Sequence, residues 1–321
     1  SLLGIKHVIV AVNKMDLIEY DQERYQAIKK DYREFANDLE FSDVRFVPVS
    51  ALLGDNIVTE SANMPWYPGA TLMKLLNTVN VHANEEQGQF RFPVQYVNRP
   101  NLNYRGFAGT VASGDIRVGD TIVALPSGKE SKIKSIDTFE GPIEQASKAM
   151  AVTLTLEDEI DVSRGDMLAR PHQQPSESNA FAADVVWMAE EALHTDREYT
   201  IKLATKSVTG SVSNIQYRVD VNSLEKTSVD QIALNEIARV DFNTQQDVHF
   251  DSYNINRTTG AFVIIDKLTN NTVGAGMIVD KLAQKEQTEQ QYSEFELELN
   301  ALVRKHFPHW GAQDIGRIFK K

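Results

Sequence analysis

His7–Val12 reads HVIVAV and runs directly into Asn13-Lys14-Met15-Asp16, and FVPV at 46–49 runs directly into Ser50-Ala51. These two short apolar runs decide the fold of the N-terminal part. A continuous β-branched run without polar alternation predicts a strand buried on both faces, as in a parallel sheet. Between the runs, residues 21–39 are polar with apolar positions at Tyr25, Ile28, Tyr32, Phe35, Ala36 and Leu39. Those steps of three and four predict an amphipathic helix. A PWYPG loop at 65–69 follows, then a predicted helix over 71–79 with Leu72, Leu75, Leu76 and Val79 on its apolar side. Strand, helix, strand, helix is the order of an α/β layer. Two strands make a poor sheet alone, so residues 1–88 are expected to be half a domain. The chain opens Ser1-Leu2-Leu3-Gly4 straight into the first strand, an abrupt start that is expected to mark a cut inside that domain.

Residues 84–89 (NEEQGQ) are polar and without periodicity, an expected linker. Over 89–175 the text becomes short apolar runs broken by Gly and Asp: FRFPVQYV, GFAGTVAS, DTIVAL, SKIKSI, AVTLTL. Strands spaced by turn signals predict an all-β barrel. The stretch 171–175 (PHQQP) reads as the next linker, and 176–282 as a second barrel, with ADVVWMA, EYTIKLAT, VSNIQYRVDV, EIARVDF, GAFVIID and TVGAGMIV. Residues 283–321 form a tail with a predicted helix over 293–306. There Ser293 and Glu296 match a capping box, and Tyr292, Phe295, Leu299, Leu302, Val303 and His306 share a face. The expected architecture is therefore multidomain: part of an α/β layer, two β-barrels and a C-terminal helix.

Composition narrows the function. The chain has 321 residues, 42% hydrophobic and 24% charged, the balance of a soluble globular protein with several cores. Its lack of cysteine excludes disulfides, thiol catalysis and thiolate metal sites. No apolar run approaches the ~18 residues of a membrane span. A net charge of −12 disfavours nucleic acid as a partner. A cytoplasmic protein is expected, with neither membrane nor nucleic acid among its partners.

The chemistry gathers at the two strand ends. Guanine presents N1–H and its 2-amino group as adjacent donors, and an ionised Asp16 can accept both in a bidentate, charge-assisted pair. Adenine would leave that carboxylate unpaired, and a site built on polar pairing rejects a base that cannot pair. The Lys14 stem can lie along the base, and Asn13 can bond the base edge or tie neighbouring loops. The Ser50-Ala51 pair would supply a backbone N–H to guanine O6 and tighten the loop beneath the base. The plain alternative is a strand-to-helix turn in which Asp16 is a helix cap. No GxxxxGK[ST] phosphate loop and no Asp-x-x-Gly occurs. The nearest string, residues 109–114, continues with Asp115-Ile116 and reads as a hairpin.

With NKxD and S-A in this order, the chain resembles translational-type GTPases of the elongation factor Tu and elongation factor one-alpha superfamily. Within that superfamily it is most similar to the GTPase (large) subunits of bacterial sulfate adenylyltransferase. The resembling segments include LLGIKHVIVAVNKMDL, FVPVSALLGDNI, NMPWYPGATLMKLL, the barrel stretch from YVNRPNLNYRGFAGTVASG through RVGDTI, NRTTGAFVIIDKLTNNTVGAGMI and FELELNALVRKHFPHWGAQD. The resemblance implies a GTP-binding regulatory subunit. Such a subunit couples GTP hydrolysis to ATP + sulfate → adenylyl sulfate + pyrophosphate, with the adenylyl transfer on a smaller catalytic partner subunit. It implies GTP and Mg²⁺ as cofactors and a guanine site of Asn13, Lys14, Asp16, Ser50, Ala51 and Leu52. The family's phosphate-loop, switch and Mg²⁺ residues match no position here. This chain alone is therefore expected to hold no catalytic residue and to bind no nucleotide tightly. An elongation-factor-like carrier of aminoacyl-tRNA or another RNA is the alternative, disfavoured by the acidic charge and the lack of a basic stripe.

Other groups read as structural: His306 and His309 as a helix end, KESKIK at 129–134 as a solvated barrel strand, and DEID at 158–161 as a surface turn. Residues 254–257 resemble a family loop without an assignable role.

Overall fold

The computed structural model describes residues 5–39, 41, 43–79, 88–101, 104–195, 197–221, 223–283 and 294–307. It forms two compact units, Ser1–Asp280 and Lys281–Lys321.

In the first unit, β1 (His7–Val12) and β2 (Asp43–Pro48) run parallel, with His7 opposite Asp43 and Val12 opposite Pro48. Helix α1 (Gln22–Ala36) starts at Asp21, whose side chain accepts from the Glu23 N–H at 2.7 Å. Such a cap satisfies donors that a helix start otherwise leaves orphaned. Alternate strand residues serve opposite faces. Val10, Val12, Val44 and Phe46 pack with Tyr25, Ile28 and Tyr32 of α1. Ile9, Val47 and Val49 pack with Leu75 of α2 (Leu72–Thr78). Both faces of the layer are covered, yet β1 is less buried than its sequence predicts. His7 to Val10 are only half-buried, Ala11 is exposed, and Val12 alone is buried. Among the described residues β1 pairs only with β2, so one of its edges has no neighbouring strand. Leu76, expected on the apolar side of α2, is 52% exposed, because the short helix turns only Leu75 fully inward.

The next strands are β3 (Arg91–Asn101), β4 (Tyr104–Thr110), β5 (Asp115–Arg117), β6 (Thr121–Leu125), β7 (Lys129–Thr138), β8 (Gly141–Ile143), β9 (Gln145–Ser147), β10 (Ala151–Leu156) and β11 (Met167–Ala169). The order β10-β4-β3-β11-β6-β7 closes by pairing β7 to β10, a six-stranded barrel. Phe92, Phe107, Ile122, Ile133, Leu154 and Leu168 fill it. Residues 109–114 do not form the expected hairpin. Thr110 ends β4, and the chain then bonds to Arg91, with Ala112 N–H donating to Arg91 O at 2.9 Å and Arg91 N–H to Ser113 O at 3.1 Å. Gly109 is there for close packing, since a Cβ would lie 2.6 Å from Pro93 O.

A second barrel contains β12 (Ser176–Trp187), β13 (Glu198–Leu203), β14 (Lys206–Val219), β15 (Lys226–Thr227), β16 (Ile237–Phe250), β17 (Ala261–Asp266) and β18 (Thr272–Lys281). The order β13-β17-β18-β12-β16-β14 closes by pairing β14 to β13. Phe181, Trp187, Phe242, Phe250 and Phe262 dominate its core.

The barrels are joined by one buried cation. Arg91 is 1% exposed, and its Nε and Nη2 donate to Asp251 Oδ2 and Oδ1, both at 2.9 Å. Its remaining N–H groups reach Phe90 O, Gln173 O and Gln89 Oε1, so the expected linker at 171–175 is held as well. Thr259 Oγ1 donates to Asp251 Oδ2 at 2.6 Å. Nearby, Asn256 Nδ2 donates to Ser113 Oγ at 2.8 Å, which gives the 254–257 loop a role between the barrels.

The second unit contributes α3 (Glu294–His306), on which Leu299 and Leu302 are about half-exposed. Ser293, Tyr292 and His309, and the side chains of Phe295 and Glu296, lie outside the described residues. No described helix is long and apolar enough to cross a membrane.

Candidate functional site

Parallel strands in register end on the same edge, which is where α/β layers bind ligands. With Val12 opposite Pro48, the two motif loops leave the sheet side by side. Val49 N–H donates to Val12 O at 2.9 Å, and Met15 N–H donates back to Val49 O at 3.2 Å. Asn13 Oδ1 accepts from Lys14 N–H at 2.7 Å and from Ala51 N–H at 3.0 Å. Of the two roles open to Asn13, the structure therefore shows the tie between loops.

Lys14 sits in the left-handed region at φ 65°, and Met15–Ile18 forms a single 3-10 turn. Met15 is fully buried and anchors that turn, leaving Asp16 half-buried on its outer side. Asp16 caps no helix, since Asp21 caps α1. Among the described residues no hydrogen bond or ion pair takes up the Asp16 carboxylate.

The partner loop is tightly built. Ser50 is buried, its Oγ accepts from Leu53 N–H at 3.2 Å, and its carbonyl accepts from Gly54 N–H at 2.8 Å. Gly54 has φ +84°, a conformation that glycine adopts without steric cost. Ala51 and Leu52 are exposed, Leu52 by 84%. Ala51 has given its N–H to Asn13, whereas the Leu52 N–H enters no hydrogen bond among the described residues.

Sequence reasoning missed two members of this edge. Asp55 accepts at Oδ2 from Tyr20 Oη at 3.0 Å and at Oδ1 from Ser61 Oγ at 2.6 Å and Asn63 Nδ2 at 3.3 Å. Partial burial, and next the hydrogen bond to Asp55, raise the Tyr20 hydroxyl above its ordinary range. The available signal was a Gly-Asp-Asn run at 54–56 placed directly after a tight loop. Of the other candidates, KESKIK alternates buried Ser131 and Ile133 with exposed lysines, as a barrel strand should. Within DEID, Asp158 accepts from Ser131 Oγ at 2.8 Å and Asp161 pairs with Arg105.

Part of an α/β layer, followed by two closed six-stranded barrels, is the fold of elongation-factor-like proteins. A family model described as GTP-eEF1A C-terminal domain-like matches residues 180–279. The solved structure of Sup35 complexed with GDP is similar over 87% of this chain and 71% of that one, at 21% identity and a TM-score of 0.58. Sup35 complexed with GMPPNP is similar over 87% and 70%, at 20% identity and a TM-score of 0.56.

At the level of sequence the likeness is much closer. Sulfate adenylyltransferase subunit 1 of Shewanella woodyi is 63% identical over 99% of this chain and 67% of its own length. The proteins of that name from Psychromonas ingrahamii and Colwellia psychrerythraea are 59% and 62% identical, over 68% and 67% of their lengths. The chain belongs to the sulfate adenylyltransferase subunit 1 family.

Proposed function

We propose that the two loops at the ends of β1 and β2 recognise a guanine base. The observation that carries this reading is Asp16, a half-buried carboxylate that no described residue pairs, set beside a loop tied to it through Asn13. Two acceptor oxygens suit the N1–H and 2-amino donors of guanine, and the Leu52 N–H is available for O6. The Lys14 stem would lie along the base. Bound GTP would supply the phosphoanhydride that is hydrolysed, with Mg²⁺ on its phosphates; the residues named here address the base alone.

On this reading the chain contributes base recognition and two barrels to a GTP-binding regulatory subunit of sulfate adenylyltransferase. That subunit couples GTP hydrolysis to ATP + sulfate → adenylyl sulfate + pyrophosphate, and it works with a smaller catalytic subunit in the cytoplasm. Family membership supports this assignment. We assign residues 1–88 to the GTP-binding domain, 89–175 and 176–282 to the two barrel domains, and 283–321 to the tail.

Asp16→Asn tests the site. The new amide matches xanthine, which has a carbonyl where guanine has its amino group. Titrating the chain with GDP and XDP by saturation-transfer NMR should show the preference swinging toward XDP by about 2–4 kcal/mol, the scale of charge-assisted bonds left unmade. An unchanged GDP-to-XDP ratio would overturn the assignment.

A further inference from the structure

We propose that Tyr20 and Asp55 are positioning residues for base discrimination, clamping the far side of the two loops so that Asp16 and the 50–54 loop address one base. The proposal rests on the guanine reading above.

The loops emerge from different strands and are tied close to the sheet by Met15 N–H to Val49 O and Ala51 N–H to Asn13 Oδ1. Both ties lie at the roots of the loops. The parts that would meet a base project outward: Leu17 is 71% exposed, Leu52 84% and Leu53 64%. Without a tie further out the loops could hinge about their roots.

The bond from Tyr20 Oη to Asp55 Oδ2, at 3.0 Å, is that outer tie. Each of its ends is fixed within its own loop. Tyr20 N–H donates to Met15 O at 2.9 Å, closing the turn that carries Asp16, and Trp66 Nε1 donates to Tyr20 O at 3.1 Å. Glu19 and Tyr20 are consecutive left-handed residues, at φ 53° and 58°. Non-glycine residues hold such a conformation only where the surroundings over-determine it. On the other side, Asp55 O accepts from Ser50 N–H at 3.2 Å, and Oδ1 is bonded to Ser61 and Asn63. The carboxylate thus divides its work. One oxygen organises its own loop, and the other reaches the loop of Asp16.

Bidentate recognition needs this rigidity. Hydrogen bonds weaken steeply with angle, so a carboxylate that rocks keeps one donor and loses the other. Guanine differs from hypoxanthine only in the 2-amino donor. A loosened clamp should therefore erode discrimination between them before it abolishes binding.

The test compares GDP and IDP binding to the chain by saturation-transfer NMR, with Tyr20→Phe, Asp55→Asn, the double variant and Asp16→Asn as a reference. Tyr20→Phe should lower the GDP-to-IDP affinity ratio about fivefold to tenfold, the worth of one net hydrogen bond. The double variant should be no worse than Asp55→Asn alone, because the bond can be lost only once. Ala51 amide exchange, read without ligand, should speed up in Tyr20→Phe. A merely structural role would weaken GDP and IDP equally and leave their ratio constant. If Asp16→Asn removes the preference while Tyr20→Phe leaves both the ratio and Ala51 exchange unchanged, the clamp is wrong and the base site stands. If Asp16→Asn itself leaves the ratio unchanged, the base-site reading fails and this proposal fails with it.

Discussion

Asp251→Ala puts the joint between the barrels to a quantitative test. A guanidinium has five N–H donors and no acceptor. In Arg91 all of them are used, two on Asp251 and three on Phe90 O, Gln173 O and Gln89 Oε1, with the side chain 1% exposed. Removing the carboxylate leaves a buried cation with two unpaired donors. Breaking a buried pair from one side costs about 3–5 kcal/mol, most of it the uncompensated charge. For a cooperative unit of 150–250 residues, each kcal/mol shifts Tm by about 2–4 °C, so the fall should be roughly 6–20 °C. Urea and thermal denaturation of the whole chain, followed by circular dichroism, would measure it. Arg91→Met instead leaves the buried Asp251 carboxylate without its cation, whereas the pair Arg91→Met with Asp251→Ala leaves no ion to desolvate. The double variant should therefore be more stable than the two single losses summed, by about 1–3 kcal/mol of coupling. Losses that add to within about 0.5 kcal/mol would refute the argument, because residues that do not interact behave that way.

A pH dependence should come from His249, whose side chain is 6% exposed with Nε2 3.4 Å from Glu177 Oε1. Burial holds this imidazole below its ordinary value of 6.5 although Glu177 pulls upward, and Lys206, Asp247 and Asp166 face it too. A depressed folded value means that its contribution is present above 6.5 and is lost as pH falls below it. His249→Gln should flatten the decline of Tm between about pH 7 and pH 5.5, and an identical slope in both proteins would count against the assignment. Gly109→Ala should destabilise the first barrel by about 1–3 kcal/mol, the usual cost of overpacking. Its new Cβ would lie 2.6 Å from Pro93 O, a backbone atom that cannot rotate away, so an unchanged urea midpoint would refute that packing argument.

What was legible in the sequence is what is written locally. HVIVAV and FVPV gave strands because β-branched runs need no distant partner to announce themselves, whereas the caps at Asp21 and Thr71 emerge only from the structure. That the two motif loops are neighbours could be read because parallel strands end together, but the sequence left the role of Asn13 open, and its bond to Ala51, 38 residues away, emerges only in the structure. Burial of β1 was overestimated for the complementary reason: apolar character tells what a strand can bury, while its edge exposure depends on which strands lie beside it. Residues 109–114 misled because a setting among short strands suggests a hairpin, whereas the run is held by Arg91 and Gly109 is needed for packing. The Arg91–Asp251 pair spans 160 residues and Asn256–Ser113 spans 143, with nothing periodic to mark either. Tyr20–Asp55 was hidden in the same way, as two ordinary loop residues whose meaning lies in each other's position. The residues that would meet a ligand stand on local geometry at strand ends, but the residues that hold such a site still are recruited from elsewhere in the chain. A sequence motif can therefore name the groups that recognise a base without naming those that make recognition selective.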